Sequence, residues 1–299
     1  MNNMDHNRIE YLTPQIISED KPIWVNPVGG LGDIIMLSTA LMRAYEKFGR
    51  KFRIVRRSQY TRFFINHPAI ESIGNPCVGD NIICNDYWSR EEFNNVETKA
   101  LTIMLKIFGV EDNDDKLFLP VSDNPSTDEI LKTVPWGEKN VAISFSSESP
   151  RKMMHPIKWH IIVEKLLTQR CFVIQLGQMG DIPIKGAYSL LGATTPDQVV
   201  SILEKVDAVI TPDNFIMHAA KVAGKPTVSL FGPTEATRYA YKNHISLQAN
   251  ISECPYHNEC LGPHHADNYS TQCPLCENHC MNQFKENQIV DIIMSKLNK

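Results

Sequence analysis

A chain of 299 residues is long for one core and natural for two α/β domains. Its hydrophobic content of 42% and net charge of −4 describe an ordinary globular protein and argue against a general electrostatic grip on nucleic acid or acidic lipid. No stretch reaches the ~20 uninterrupted apolar residues of a membrane span, which leaves only peripheral membrane contact open.

The first 21 residues are polar, with Asp5, Glu10, Glu19 and Asp20, and lack the apolar core of a secretory signal. They are expected as a loosely ordered tail, and the chain as cytoplasmic. The first strand is expected over Pro22–Val28, followed by the turn Gly29-Gly30-Leu31-Gly32-Asp33. A helix follows from about Ile34 to Phe48, with Ile34, Leu37, Leu41, Ala44 and Tyr45 at helical spacing and Gly49 as C-cap. Phe52–Val55 then completes a βαβ unit, the signature of a parallel sheet. Short strands are expected at Ile70–Ile73 and Asn81–Cys84, and a longer helix from about Arg90 to Phe108.

Ser122 to Gly137 is polar and carries prolines, so the domain boundary is placed there, with a first domain over 22–133 and a second over 138–285. Strands at Val141–Phe145, Cys171–Leu176, Ala208–Thr211 and Thr227–Phe231 alternate with helices at Trp159–Leu167, Pro196–Lys205 and Phe215–Ala223. Thr195 is the candidate N-cap of the second of these helices. This alternation predicts a doubly wound α/β domain. After about Ser246 the pattern breaks into a cysteine-rich segment, and a last helix is expected over 286–299.

The turn ending in Asp33 lies between a strand and a helix, where glycines let a ligand approach the backbone and use the helix N-terminus. Its spacing is not that of the dinucleotide fingerprint, and a carboxylate would repel a phosphate. Asp33 therefore reads as an N-terminal helix residue in a tight turn or as a base. Asp213-Asn214-Phe215-Ile216-Met217-His218 follows a strand at the carboxyl edge of the second sheet, where ligands bind in open α/β sheets. Asp213 there is a candidate acceptor of sugar or ribose hydroxyls, and His218 a candidate diphosphate neighbour. The competing reading makes Asp213 a cap and His218 a satisfied core imidazole. A second glycine turn, Gly232-Pro233-Thr234, supplies N–H groups and a hydroxyl suited to a diphosphate.

Together these segments resemble glycosyltransferase family 9, the heptosyltransferase-like enzymes of GT-B fold. The likeness runs through the stretch from Gly32 to Ala44, through His67 to Ile73, Lys158-Trp159, and most specifically Leu191 to Thr234. It implies two Rossmann-like domains facing a central cleft, with the first on the acceptor side and the second binding the donor. It also implies an inverting, metal-independent transfer from a nucleotide-diphosphate sugar, ADP-heptose or similar, with no cofactor for catalysis. Asp33 then matches the base. Asp213, Asn214, His218, Gly232, Pro233 and Thr234 match the donor site, Ser146 and Ser147 stand in for the family's loop hydroxyls, and Gln175 lies in the donor-recognition region. Arg151, Lys152 and Lys158 are candidate cations for the leaving group. Gly30, Gly32, Tyr60 and Arg62 are acceptor-side candidates, and the loop from Asn85 adds Tyr87, Trp88 and Arg90. The acceptor class stays open between lipopolysaccharide, another glycan and protein. Phe215 replaces a glycine usual in the family, and the altered donor loop gives weight to a rival: a non-catalytic nucleotide- or metal-binding protein on a GT-B scaffold.

Five cysteines, Cys254, Cys260, Cys273, Cys276 and Cys280, crowd one stretch with His257, His264, His265 and His279 among them. In a chain without an export signal, such a cluster suggests a structural zinc or iron ion before disulfides. Reduced structural thiols are the alternative.

Overall fold

The computed structural model describes residues 6–120, 125–252, 254–256, 260, 270–275 and 279–298. The chain divides into two compact units, Met1–Ser122 and Asp123–Lys299.

In the first unit, strands β1 (Asn7–Ile9), β2 (Ile23–Asn26), β3 (Phe52–Val55), β4 (Ile70–Gly74) and β5 (Asn81–Cys84) form one parallel sheet in the order β1-β5-β2-β3-β4. Helix α1 (Pro14–Ser18) precedes β2, and α2 (Leu31–Phe48) connects β2 to β3. Helix α2 buries Ile34, Ile35, Leu37, Leu41 and Ala44 completely, and Gly49 ends it in the left-handed region at φ 69°. The expected tail instead supplies the edge strand β1. Its polar composition hid two apolar anchors, Ile9 and Leu12, which are buried. The helix expected from Arg90 to Phe108 is also shorter. Two 3-10 turns, Tyr87–Ser89 and Glu91–Asn94, come first, and α3 begins only at Ala100 and ends at Ile107. Asn95 explains the delay: its side chain takes the Glu97 N–H at 3.0 Å and its carbonyl takes the Thr98 N–H, a turn that competes with helix.

The second unit opens with α4 (Pro125–Thr133), inside the segment read from sequence as a linker. Proline at the first helical position suits a helix start. Ser126 accepts a hydrogen bond from Gln198, and the Thr133 carbonyl one from Tyr188, so α4 belongs to the second unit rather than to the first domain. There follow β6 (Lys139–Ile143), α5 (Pro156–Thr168), β7 (Cys171–Gln175), β8 (Tyr188–Ser189), α6 (Pro196–Leu203), β9 (Ala208–Pro212) and α7 (Phe215–Val222). Then come β10 (Thr227–Phe231), α8 (Ala236–Tyr239), β11 (His244–Gln248) and α9 (Glu286–Leu297). The sheet order, β11-β10-β9-β6-β7-β8, is all parallel and is the Rossmann order read from its far edge. Helix α9 packs Ile289 and Ile293 into the same core as Trp159, Ile162 and Val163 of α5. It is part of this unit and not an appendage.

Both sheets reverse their direction of winding once. In the first unit the reversal lies between β2 and β5, and in the second between β6 and β9. Such a switch point opens a crevice beyond the carboxyl ends of the two strands, where ligands bind in open parallel sheets.

Candidate functional site

At the switch point of the first unit, the loop leaving β2 meets the loop leaving β5. Asn85 clamps them together, accepting the Val28 N–H at 2.7 Å and donating to the Val28 carbonyl at 2.9 Å. The chain then turns through Gly29, at φ 97°, into α2. Asp33 sits in the first turn of that helix, half-buried. Its Oδ2 accepts the Gly30 N–H at 2.8 Å, and its Oδ1 accepts the Tyr87 hydroxyl at 2.8 Å. A Cβ on Gly29 would stand 2.5 Å from Asp33 Oδ2 and 3.0 Å from Trp88. The glycine is therefore required twice, by its dihedral and by the carboxylate folded back against it.

Tyr60 and Tyr87, acceptor-side candidates from the sequence, are buried. The Tyr60 hydroxyl donates to the Gly29 carbonyl, so it braces the turn from behind. Half-buried Trp88 and exposed Arg62 retain accessible surface, and Gly30 and Gly32 are half-buried. Arg90 is buried against Asp86 at 3.1 Å, a structural pair.

The second unit repeats this logic between β6 and β9. Asn214 is the N-cap of α7, its Oδ1 accepting from Ile216 N–H at 2.9 Å and from Thr211 Oγ1 at 2.8 Å. Its amide donates to Ser144 Oγ and to the Ser146 carbonyl, at 3.1 and 2.8 Å. Expected as a donor contact, Asn214 thus ties the β6 loop to the helix. Beside it, Asp213 pairs with Lys152, Oδ2 to Nζ 2.8 Å, with the two side chains only 6% and 11% exposed. Burial alone would push the Asp213 carboxyl up. The Lys152 ammonium and its hydrogen bond, with smaller help from His218 and Thr234, outweigh that and hold it below the usual carboxylate range. Burial pushes His218 down to about 4 against the pull of Asp213, so its imidazole is neutral at pH 7. Its Nδ1 shares a 2.5 Å hydrogen bond with the Tyr241 hydroxyl. Thr234 Oγ1 is buried near Asp213 and makes no hydrogen bond of ordinary geometry among the described residues.

The three candidate cations separate cleanly. Lys152 faces Asp213. Arg151, its neighbour, is buried and turns the other way, donating to Thr271 and to the carbonyl and sulfur of Cys260. Lys158 pairs with Glu286 at 2.6 Å and with the Phe284 carbonyl, fastening α5 to the start of α9. Gln175 is also structural: fully buried, it donates to the Ile182 carbonyl and accepts the Ile184 N–H. The carboxylate at that edge is Asp181. It accepts from Ser146 Oγ and from the Gln178 N–H. A Cβ on Gly177 would meet Asp181 Oδ2 at 2.4 Å, the same glycine-against-carboxylate packing as Gly29 and Asp33. Ser147 is half-buried on the same loop.

Cys254, Cys260, Cys273 and Cys280 line a cavity of about 20 Å³ together with His279, Arg151 and Pro233, room for one water-sized body. Cys276, His257, His264 and His265 lie outside the described residues. Among the described residues no three ligands converge at distances that would hold a metal ion, so these residues alone do not complete a metal site. Burial, then the neighbouring Cys260, pushes the Cys280 thiol up to about 12. The cluster leans on the donor-side loop. A Cβ on Gly232 would fall 2.3 Å from Met281 Sδ and 3.1 Å from Cys280 Sγ. Replacing Gly232 by Ala should therefore destabilise the protein by about 1–3 kcal/mol, the usual cost of overpacking, measured by chemical unfolding.

The family model for glycosyltransferase family 9 (heptosyltransferase) matches residues 98–265, more than half of the chain. The chain belongs to glycosyltransferase family 9. Solved structures agree on the fold of this family-9 enzyme. The iron-containing dodecameric glycosyltransferase TibC from enterotoxigenic E. coli is 16% identical with a TM-score of 0.72, over 95% of this chain and 78% of that one. A family 9 glycosyl transferase from Veillonella parvula is 13% identical with a TM-score of 0.71, over 93% and 97%. The E. coli ADP-heptose lipopolysaccharide heptosyltransferase II is 12% identical with a TM-score of 0.66, over 93% and 98%. No curated protein sequence matches. The glycosyltransferase activity and the GT-B fold class expected from the sequence both stand on this footing. No helix among the described residues is long and apolar enough to cross a membrane.

Proposed function

We propose that this glycosyltransferase moves a heptose or similar sugar from an ADP-linked donor to a glycan, lipopolysaccharide or protein acceptor, with inversion and without a catalytic metal. The observation that carries the reading is the buried Lys152–Asp213 pair at the second switch point, beside the N-terminus of α7 and the Gly232-Pro233-Thr234 loop. A buried ion pair is costly to keep for stability alone, and this one stands where a diphosphate would meet a cation, a hydroxyl and a helix dipole. A second structure of TibC carries ADP-D-β-D-heptose, which favours ADP among the nucleotides.

In the proposed reaction Asp33 takes the proton of an acceptor hydroxyl as its oxygen attacks the anomeric carbon. The bond from that carbon to the donor's phosphate oxygen breaks, and its electron pair leaves with the nucleoside diphosphate. Lys152 and the α7 N-terminus offset the charge that develops there. Asp213 holds Lys152 in place, and neutral His218 is fixed by Tyr241. Asp181, with Ser146, offers a carboxylate to donor hydroxyls. We assign the C-terminal cysteines a structural role, with or without zinc or iron, because Cys280 and its neighbour Met281 pack against Gly232.

Thermal shift with ADP, UDP, GDP and CDP and their sugars tests the donor class. A ligand present at ~100 times its dissociation constant adds about 2.7 kcal/mol, a readily measured rise in melting temperature. A shift selective for ADP compounds is expected. No shift with any nucleotide would favour the non-catalytic scaffold instead.

A further inference from the structure

We infer that Tyr87 is the positioning residue of the catalytic base. The inference rests on the reading of Asp33 as base and adds what fixes its carboxylate. Tyr87 is 4% exposed, and its buried hydroxyl donates to Asp33 Oδ1 at 2.8 Å. The ring is immobilised on two sides, edge-on to Trp88 at 5.0 Å and to Phe93 at 5.6 Å between centroids. Its backbone is held as well, since the Tyr87 N–H donates to the Asn85 carbonyl at 2.8 Å and Asn85 is itself clamped to Val28.

Asp33 is therefore gripped from both loops of the switch point. Gly30 N–H holds Oδ2 from the β2 loop, and Tyr87 holds Oδ1 from the β5 loop. One bond alone would leave the carboxylate free to rotate about its terminal torsion, which is broad for aspartate. Two bonds to different oxygens set its plane. A carboxylate has roughly four acceptor positions, and these two bonds use one on each oxygen. Tyr60 differs: its bond to the Gly29 carbonyl supports the turn without touching the carboxylate.

Tyr87→Phe keeps the ring and its contacts and removes only the oxygen. Steady-state kinetics should show kcat reduced about 10- to 100-fold, the scale of a small misplacement of a reacting group. Acceptor KM and the donor dissociation constant should stay within about twofold, because neither depends on the orientation of the base. An unchanged kcat, or a loss confined to KM or to melting temperature, would leave Tyr87 as a packing residue and overturn the inference. Asp33→Asn is measured alongside. If that variant still transfers sugar, it is the base assignment that fails. If it is inactive while Tyr87→Phe has full kcat, only the positioning role fails.

Discussion

Asp33→Asn is expected to lower transfer by about 10²–10⁴-fold while leaving donor affinity within a factor of about two. The rate loss is the range that a positioned general base contributes. The structural side of the argument is equally specific. Asparagine has the shape of aspartate and can keep both local bonds, with its carbonyl oxygen toward the Gly30 N–H and its amide toward Tyr87. A phenolic oxygen accepts as well as donates, so the reversed bond to Tyr87 costs little. The turn through Gly29, held by Asn85 and Tyr60, depends on neither charge. Donor contacts are assigned to the second unit, so titration calorimetry with the nucleotide should find the variant unaltered. Retention of transfer would reduce Asp33 to the helix-start residue that the sequence also allowed. Loss of nucleotide binding would make it a donor contact.

How far the residues announced this arrangement depends on which kind of interaction is asked for. The alternation of apolar strands with helices was plain over Pro22–Val55 and Val141–Phe231, because each element carries its own periodicity. The glycine turn before Asp33 and the Asp213–His218 stretch were visible as strand-to-helix junctions. Elements held by partners distant in sequence were not legible. Strand β1 is three residues with one buried side chain, and it exists because β5 offers an edge. Helix α4 lies in a proline- and serine-bearing stretch and itself buries only Thr127. Nothing local distinguishes Lys152 from Arg151 or Lys158. The choice is made by Asp213, Thr271 and Glu286, which lie 61, 120 and 128 residues away. The same holds for Tyr87, whose hydroxyl finds Asp33 across 54 residues. Gln175 shows the opposite limit: a polar residue at the right strand end reads as a ligand contact until its partners, Ile182 and Ile184, are seen.

Lys152→Ala is the variant expected to cost most in stability, about 3–5 kcal/mol near neutral pH, because it strands a buried carboxylate. In the wild-type protein Asp213 titrates below its unfolded value, so the pair contributes fully above the unfolded carboxylate range and is lost as pH falls through the folded one. Without the ammonium the order inverts. Burial then dominates and the folded variant takes up a proton that the wild type does not. His218 is the second place for it, since Asp213 pulls its affinity for a proton up and Lys152 had held it down. Either way the variant binds more protons when folded, so its deficit should shrink as pH is lowered from 7 toward 4. Urea unfolding at several pH values measures this directly. Lys152→Ala/Asp213→Asn, which removes the charge along with its partner, should regain much of the lost stability at pH 7, but it should not regain transfer. Recovery of both would place Lys152 and Asp213 in the scaffold and leave the diphosphate charge to other groups. A deficit that stays constant across the pH range would mean that Asp213 is not left as a buried charge when Lys152 is gone.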